Sequence, residues 1–370
     1  MKKLLLISDP IDNFHSVQFE LLKSIGKILI NYYEVYIFST YLPDNRIEEF
    51  EKLGIHCIKP KSKFIINLIL NYFGKRNESM LWMESWLREA YFKKNSKKAK
   101  NIGKFDFVIN LSYTIPINCD VWWIQGRPLY NTLQILKENS SLLSVFLKFF
   151  GKSIKKREKK LLERFKMNSK IVVTNAKHLI HDYQTLGLKI EDFIYSVKDM
   201  SKFKPLNVEK ENFVLTYIGK EIEIDTILEL SKKGVKIKGF GAKIPVGISI
   251  AELKKNIDYL GFVSDQDLIE LYSKAKFVVF PFTDEAFGYI PIESMSCGTP
   301  VLSYNKQGPA ETILDNVTGW LVNNRDEFVK KALELWKNGH NIKREDCIER
   351  AKLFTPEKSV EKILNVLKKF

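Results

Sequence analysis

The sequence predicts an α/β protein in which parallel sheets carry helices on their faces, divided between two domains. Short β-branched apolar runs alternate with stretches of helical periodicity near the amino end, and the alternation resumes from residue 213. At 370 residues the chain exceeds what one hydrophobic core usually serves. The composition, 45% hydrophobic and 28% charged, is that of a soluble globular protein. No run of about 18 uninterrupted apolar residues occurs, so no segment is expected to span a membrane.

Met1 to Ile7 imitates the start of a signal peptide, but Asp9, Pro10 and Asp12 cut the apolar run below the roughly 7–15 residues such a region needs. It therefore reads as a first strand, Leu4 to Ser8. A helix over Val17 to Leu29, a strand over Glu34 to Ser39, a helix over Ile47 to Leu53 and a strand over Ile55 to Ile58 follow. Residues 60–104 break the alternation with apolar Phe64 to Phe73, tryptophan-bearing Met80 to Phe92 and basic Lys93 to Lys104. They read either as a helical hairpin packed on the domain or as an acceptor-binding or membrane-facing surface. Phe105 to Leu111 and Val121 to Ile124 are further strands, the second running into Gln125, Gly126, Arg127 and Pro128. Arg127 thus sits at the carboxyl end of a parallel strand, where open α/β sheets bind ligands. Contact with a phosphate and capping of a neighbouring helix are both open to it.

In Ser141 to Lys170, apolar Leu142 to Phe150 precedes eight basic residues between Lys152 and Lys166. That is the composition of a peripheral membrane contact, or of a buried helix followed by a solvated face. Gly151, Lys152 and Ser153 do not make a phosphate loop, because Phe146 stands where that loop requires glycine. Ile171 to Thr174 is a strand, and Ala176 to Leu186 a helix closed by Gly187.

The second domain opens with a strand, Phe213 to Ile218, ending in Gly219 and Lys220. Gly239, Phe240 and Gly241 lack the third glycine of a nucleotide fingerprint and read as a tight turn. A helix over Asp265 to Lys274 and a buried strand over Phe277 to Phe280 lead into the most informative stretch, Pro281 to Glu311. There a polar turn is followed by Gly288, Pro291 and an apolar helix ending at Gly298. Proline at the first helical position and glycine just past the end are the usual asymmetry. This puts Glu285 on the strand-to-helix loop and Glu293 in the first helical turn. The amides of Phe287, Gly288, Tyr289 and Ile290 lack intrahelical partners and are expected to receive an anion. Each flanking carboxylate can accept bonds from a pair of neighbouring hydroxyls, which suits a sugar linked to a nucleotide diphosphate. The plainer alternatives are a helix-dipole role for Glu293 and a solvated loop position for Glu285. Gly319 to Val322 (strand), Arg325 to Trp336 (helix) and Pro356 to Phe370 (helix) complete the pattern.

Fifty-nine Lys and Arg against 44 Asp and Glu give a net charge of +15, which favours nucleic acid, anionic lipid or a sugar diphosphate as partner. Nucleic-acid readers interleave basic and stacking residues or carry a known motif; neither is present, so nucleic acid is not expected. Cys57, Cys119, Cys297 and Cys347 form no CxxC pair and read as buried thiols of a reducing compartment, hence a cytoplasmic location. No carboxylate or histidine cluster has ligand spacing, His178 and His181 having no third partner, so no metal is expected.

Glu285, Phe287, Gly288, Glu293, Met295, Cys297, Gly298, Thr299, Pro300 and Val301 fall in the register of a signature that this chain resembles, that of glycosyltransferase family 4. The resemblance implies two Rossmann-like doubly wound domains facing a cleft, the GT-B architecture. Residues 1–205 would form the acceptor domain and 206–352 the donor domain, and 353–370 a helix crossing back to the first. The implied reaction moves a hexose-like sugar from a nucleotide-diphosphate sugar to a glycan or lipid-linked acceptor, with retention and with neither metal nor cofactor. Glu285 would hold the donor sugar, Glu293 the ribose hydroxyls and Lys220 the diphosphate charge, and the turn at Val263 would lie beside the base. Gln125 stands near where the family often places a histidine. An anionic membrane surface is an expected partner of Leu142 to Lys166. The chain departs from the pattern after the first strand, where Asp9, Pro10, Ile11 and Asp12 replace a glycine-rich turn. It departs again at Ile222 and Glu223, which stand where a second basic residue is usual; Lys243 is a spare phosphate ligand. A sugar-nucleotide-binding module without turnover is the alternative function.

Overall fold

The computed structural model describes residues 1–9, 11, 17–39, 41–58, 102–136, 141–219, 221–241 and 248–370. The helical hairpin expected over 60–104 therefore falls almost wholly outside the described residues, as do Pro10, Asp12, Lys220 and Lys243. The chain forms two compact units, Met1–Asp199 with Pro356–Phe370, and Met200–Thr355.

The first unit runs β1 (Lys3–Ser8), α1 (Val17–Leu29), β2 (Glu34–Ser39), α2 (Asp44–Glu51), β3 (His56–Ile58), β4 (Phe107–Asn110), β5 (Cys119–Ile124), α3 (Leu129–Leu136), α4 (Ser141–Met167), β6 (Ser169–Thr174), α5 (Leu179–Gln184) and β7 (Asp192–Phe193). Its strands lie in the order β3-β2-β1-β4-β5-β6-β7, all parallel. Strand periodicity explains why β1 is apolar from Leu4 to Ile7: Leu4 and Leu6 enter one core with α1, while Leu5 and Ile7 enter another on the opposite face.

The second unit runs β8 (Val214–Tyr217), α6 (Ile224–Lys232), β9 (Ile237–Phe240), α7 (Ile250–Asn256), β10 (Asp258–Gly261), α8 (Asp265–Lys274), β11 (Val278–Phe280), α9 (Tyr289–Ser296), β12 (Val301–Tyr304), α10 (Gln307–Thr312), β13 (Gly319–Val322), α11 (Arg325–Asn338) and α12 (Arg344–Ala351). The order is β10-β9-β8-β11-β12-β13, again all parallel. Side-chain caps fix several helix starts: Ser264 Oγ accepts the Asp267 amide at 3.2 Å, which is why α8 begins where the sequence places it. Met200 and Phe203 group with this unit because Phe203 packs edge-on against Tyr272, ring centroids 6.4 Å apart. The last helix, α13 (Pro356–Leu367), returns to the first unit. Its Val360, Ile363, Val366 and Leu367 join the core that α1 shares through Phe19 and Leu22. Lys362 donates to the Phe193 carbonyl at 2.8 Å and Ser359 to that of Tyr195 at 2.7 Å.

Candidate functional site

In the second unit the strand order reverses between β8 and β11, and there the two following loops pair with each other. Thr283 N–H donates to the Glu221 carbonyl at 2.7 Å, Glu223 N–H to that of Pro281 at 2.8 Å, and Ile222 bridges Phe282. This pairing at the switch point, the ligand-binding position of an open α/β sheet, places Glu221 beside Glu285. The Tyr217 ring, at the end of β8, folds over Gly219 so closely that a Cβ there would lie 2.2–2.4 Å from ring atoms.

Glu285 sits on the β11–α9 loop, half-buried. Burial first, and then the negative charge of Glu221, push its carboxyl up to about 7, against the two amides that favour the ionised form. Those amides correct an expectation. Glu285 Oε1 accepts from Phe287 N–H at 3.1 Å and from Gly288 N–H at 3.0 Å, so two of the four amides reserved for an anion already hold the chain's own carboxylate. The helix also begins earlier than expected. Gly288, at φ +87°, takes the cap position and Tyr289 is the first helical residue, so Pro291 is third and Glu293 lies in the second turn. Proline is accommodated there because the first four helical amides need no intrahelical acceptor. A turn from β12 closes over the loop: Glu285 N–H donates to Gln307 Oε1 at 2.6 Å and Gly308 N–H to the Glu285 carbonyl at 3.2 Å.

Glu293 is 4% exposed, and the Tyr272 hydroxyl donates to its Oε2 at 3.1 Å. Burial, reinforced by Glu293, raises the Tyr272 phenol well above its ordinary value. Tyr217 is raised by burial and by Glu221, Glu285 and Glu293 together, which ties all three carboxylates to one phenol. Phe287 and Gly288 are buried, Tyr289 and Ile290 half-buried. Val263 is half-buried in the turn after β10, separated from β8 by β9. The unit thus brings Glu285, Phe287, Gly288, Tyr289, Ile290 and Glu293 together on one loop and helix. Tyr217, Glu221, Tyr272 and Gln307 escaped the sequence reading. Only Tyr272 had a signal there, its spacing of four from Leu268 on α8. Among the described residues no group of three or more His, Cys, Asp or Glu side chains could hold a metal ion. Burial pushes the Cys297 thiol up to about 12 and holds it neutral.

Gln125 and Arg127 belong to the first unit, at the carboxyl end of β5. Gln125 Oε1 accepts from Ser196 Oγ at 2.5 Å, and its Nε2 donates to the Trp123 carbonyl at 3.2 Å. Arg127 Nε pairs with Asp182 Oδ2 of α5 at 3.2 Å, so its guanidinium is engaged by a neighbouring helix. Asp9, at the β1–β4 switch point, accepts the Tyr113 amide at 2.8 Å and the Thr114 hydroxyl, anchoring the loop after β4. The amino end of α3 is occupied by Glu158, which accepts from Leu129 N–H at 2.5 Å and Tyr130 N–H at 3.0 Å.

Residues 247–354 match the family model described as glycosyl transferases group 1. The chain is similar to a D-inositol 3-phosphate glycosyltransferase of Mycobacterium sp. (strain KMS), 24% identical over 190 residues, 44% of this chain and 43% of the relative. It is similar to the capsular polysaccharide biosynthesis glycosyltransferase CapM of Staphylococcus aureus, 31% identical over 148 residues, 36% of this chain and 39% of the relative. The matches thus span about two fifths of the length of these curated relatives. Among solved structures, Anabaena HepE in complex with UDP superposes with a TM-score of 0.65 at 14% identity, covering all of both chains. The sucrose-phosphate synthase of Thermosynechococcus elongatus superposes at 0.68 with 15% identity, covering 100% of this chain and 99% of that one. The chain therefore has the two-domain GT-B fold, and its residues 247–354 are similar to the glycosyl transferases group 1 family.

Proposed function

We propose that the chain is a glycosyltransferase that moves a hexose-like sugar from a nucleotide-diphosphate donor to a glycan or lipid-linked acceptor, with retention at the anomeric carbon. The observation that carries this reading is the pair Glu285 and Glu293, framing the amino end of α9 at the β8–β11 switch point, both carboxylates lying in the matched residues 247–354. Glu285 accepts bonds from sugar hydroxyls and Glu293 from the ribose, while the amides of Phe287 and Gly288 pass from the Glu285 carboxylate to a donor oxygen. A uridine diphosphate donor is the first candidate, since HepE, a solved structure of the same fold, is described in complex with UDP and with UDP-glucose.

Lys220 carries the diphosphate charge in this reading, and the reaction runs without a bound metal. Retention by double displacement needs a second carboxylate about 5 Å from the first across the sugar; in the proposed reaction departure and attack share one face instead. Gln125 and Arg127 belong to the acceptor side. The enzyme works in the cytoplasm against an anionic membrane, through α4, which exposes Val145, Phe149 and Phe150 beside its lysines. The deciding experiment is a thermal-shift screen with UDP, GDP, ADP and their sugars, followed by product detection with the best donor. A UDP-dependent rise in melting temperature and sugar transfer are expected. A shift without product for any donor would favour the alternative, a binding module without turnover.

A further inference from the structure

We propose that Gln307 is a positioning residue that locks Glu285 into place for transfer. This rests on the assignment of Glu285 to the donor sugar made above. Gln307 opens α10, yet its φ is +54°, in the left-handed region that a glutamine rarely adopts. Glycine would occupy that backbone without strain. What glutamine adds is a side-chain oxygen, and this oxygen accepts the Glu285 amide at 2.6 Å. Backbone held in a sparsely populated region tends to persist where a function depends on it.

The next residue tightens the clamp. Gly308 N–H donates to the Glu285 carbonyl at 3.2 Å, so both backbone groups of Glu285 are bonded to the turn. A Cβ at Gly308 would lie 2.3–2.5 Å from backbone atoms of Phe287, so the turn presses directly on the loop. The Glu285 side chain is the only part of the residue left to reorient. It can exchange the amides of Phe287 and Gly288 for substrate hydroxyls while its main chain stays fixed. A fixed main chain limits the positions that the carboxylate can reach, which is how a supporting residue acts on a transition state.

The test separates positioning from plain structure by asking stability and turnover to move differently. In Gln307→Gly the left-handed strain is relieved and the acceptor is lost, whereas Gln307→Glu keeps an acceptor oxygen at the same reach. For Gln307→Gly we expect an unchanged or higher melting temperature. We also expect hydrogen exchange at the Glu285 amide at least about tenfold faster, and a kcat lowered about fivefold or more with donor KM within about twofold. Gln307→Glu should restore the slow exchange. Wild-type exchange and wild-type kcat in Gln307→Gly would overturn the proposal. So would a kcat that falls only in step with melting temperature across both variants. If the wild-type protein turns over no nucleotide sugar, the functional reading fails, and amide exchange alone then decides whether Gln307 holds Glu285.

Discussion

Glu285 keeps an acidic proton near neutrality, and this has a measurable sign. Its carboxyl is raised from 4.5 to about 7 by burial and by Glu221. Between those values the folded chain binds a proton that the unfolded chain has released, so stability falls as pH rises. The contribution is complete below about 4.5 and is lost as pH passes 7. Melting temperature measured from pH 5 to 8 should drop more in the wild type than in Glu285→Gln, whose side chain cannot ionise; parallel curves would disprove the assignment. Glu285→Ala should cut turnover by about tenfold or more while the fold survives. Glu293→Gln should weaken donor binding by about 1–3 kcal/mol by calorimetry, because charged bonds to hydroxyls become neutral ones. Tyr272 can still donate to the glutamine oxygen, so the helix should remain in place. Both carboxylates were legible in the sequence because their spacing and the glycines around them form a pattern. Gln307 and Glu221 were not, because they approach Glu285 from the segments that follow β12 and β8, and no local spacing encodes a contact between segments so far apart in the chain.

Helix ends were the least legible part of each element. The sequence marks α9 with Gly288, Pro291 and Gly298, yet the cap falls on the first glycine, and the proline rides inside the unbonded first turn. At the other end, Gly298 has φ +77°, and a Cβ there would lie 2.3 Å from Arg344 Cγ. Arg344 has little freedom to yield, since its Nη2 donates to the Leu206 carbonyl at 2.7 Å. Gly298→Ala should therefore destabilise the second unit by about 1–3 kcal/mol, read as a lowered denaturant midpoint with unchanged slope.

Helix α4 is packed on one side and exposed on another. Leu147 packs with Leu133, while Val145, Phe149 and Phe150 are 57%, 73% and 54% exposed. Changing Lys155, Lys156, Lys159 and Lys160 to Glu should abolish flotation with anionic vesicles, and added salt should weaken it in the wild type. Equal flotation before and after the change would mean that the helix is ordinary scaffold.

At the scale of the molecule, alternation of apolar runs and helical periodicity foretold parallel sheets, and the resemblance foretold two of them. Strand order was not foretold, since β1 lies between β2 and β4, whose partner residues such as Val35 and Phe107 are remote in the chain, and packing between them decides it, not any strand alone. The return of α13 followed only from the resemblance; its own periodicity shows an apolar face but not what covers it. Ile363, 1% exposed, sits in the core of the first unit. Ile363→Ala should cost about 2–5 kcal/mol, and its loss should appear in exchange of α1 and β1 amides before those of the second unit.

That returning helix also sets a schedule for synthesis. The apolar face of α1 is made early, yet its partner in α13 is separated from it by every residue from 30 to 355. At roughly 5–20 residues per second, translation of that interval lasts on the order of half a minute. Through it, a nascent first unit would carry an unfilled groove along α1 while the second unit emerges and folds. A chain stalled before Pro356 should therefore recruit chaperones that bind exposed apolar surface and resist proteolysis poorly, although every strand of both sheets has already been made.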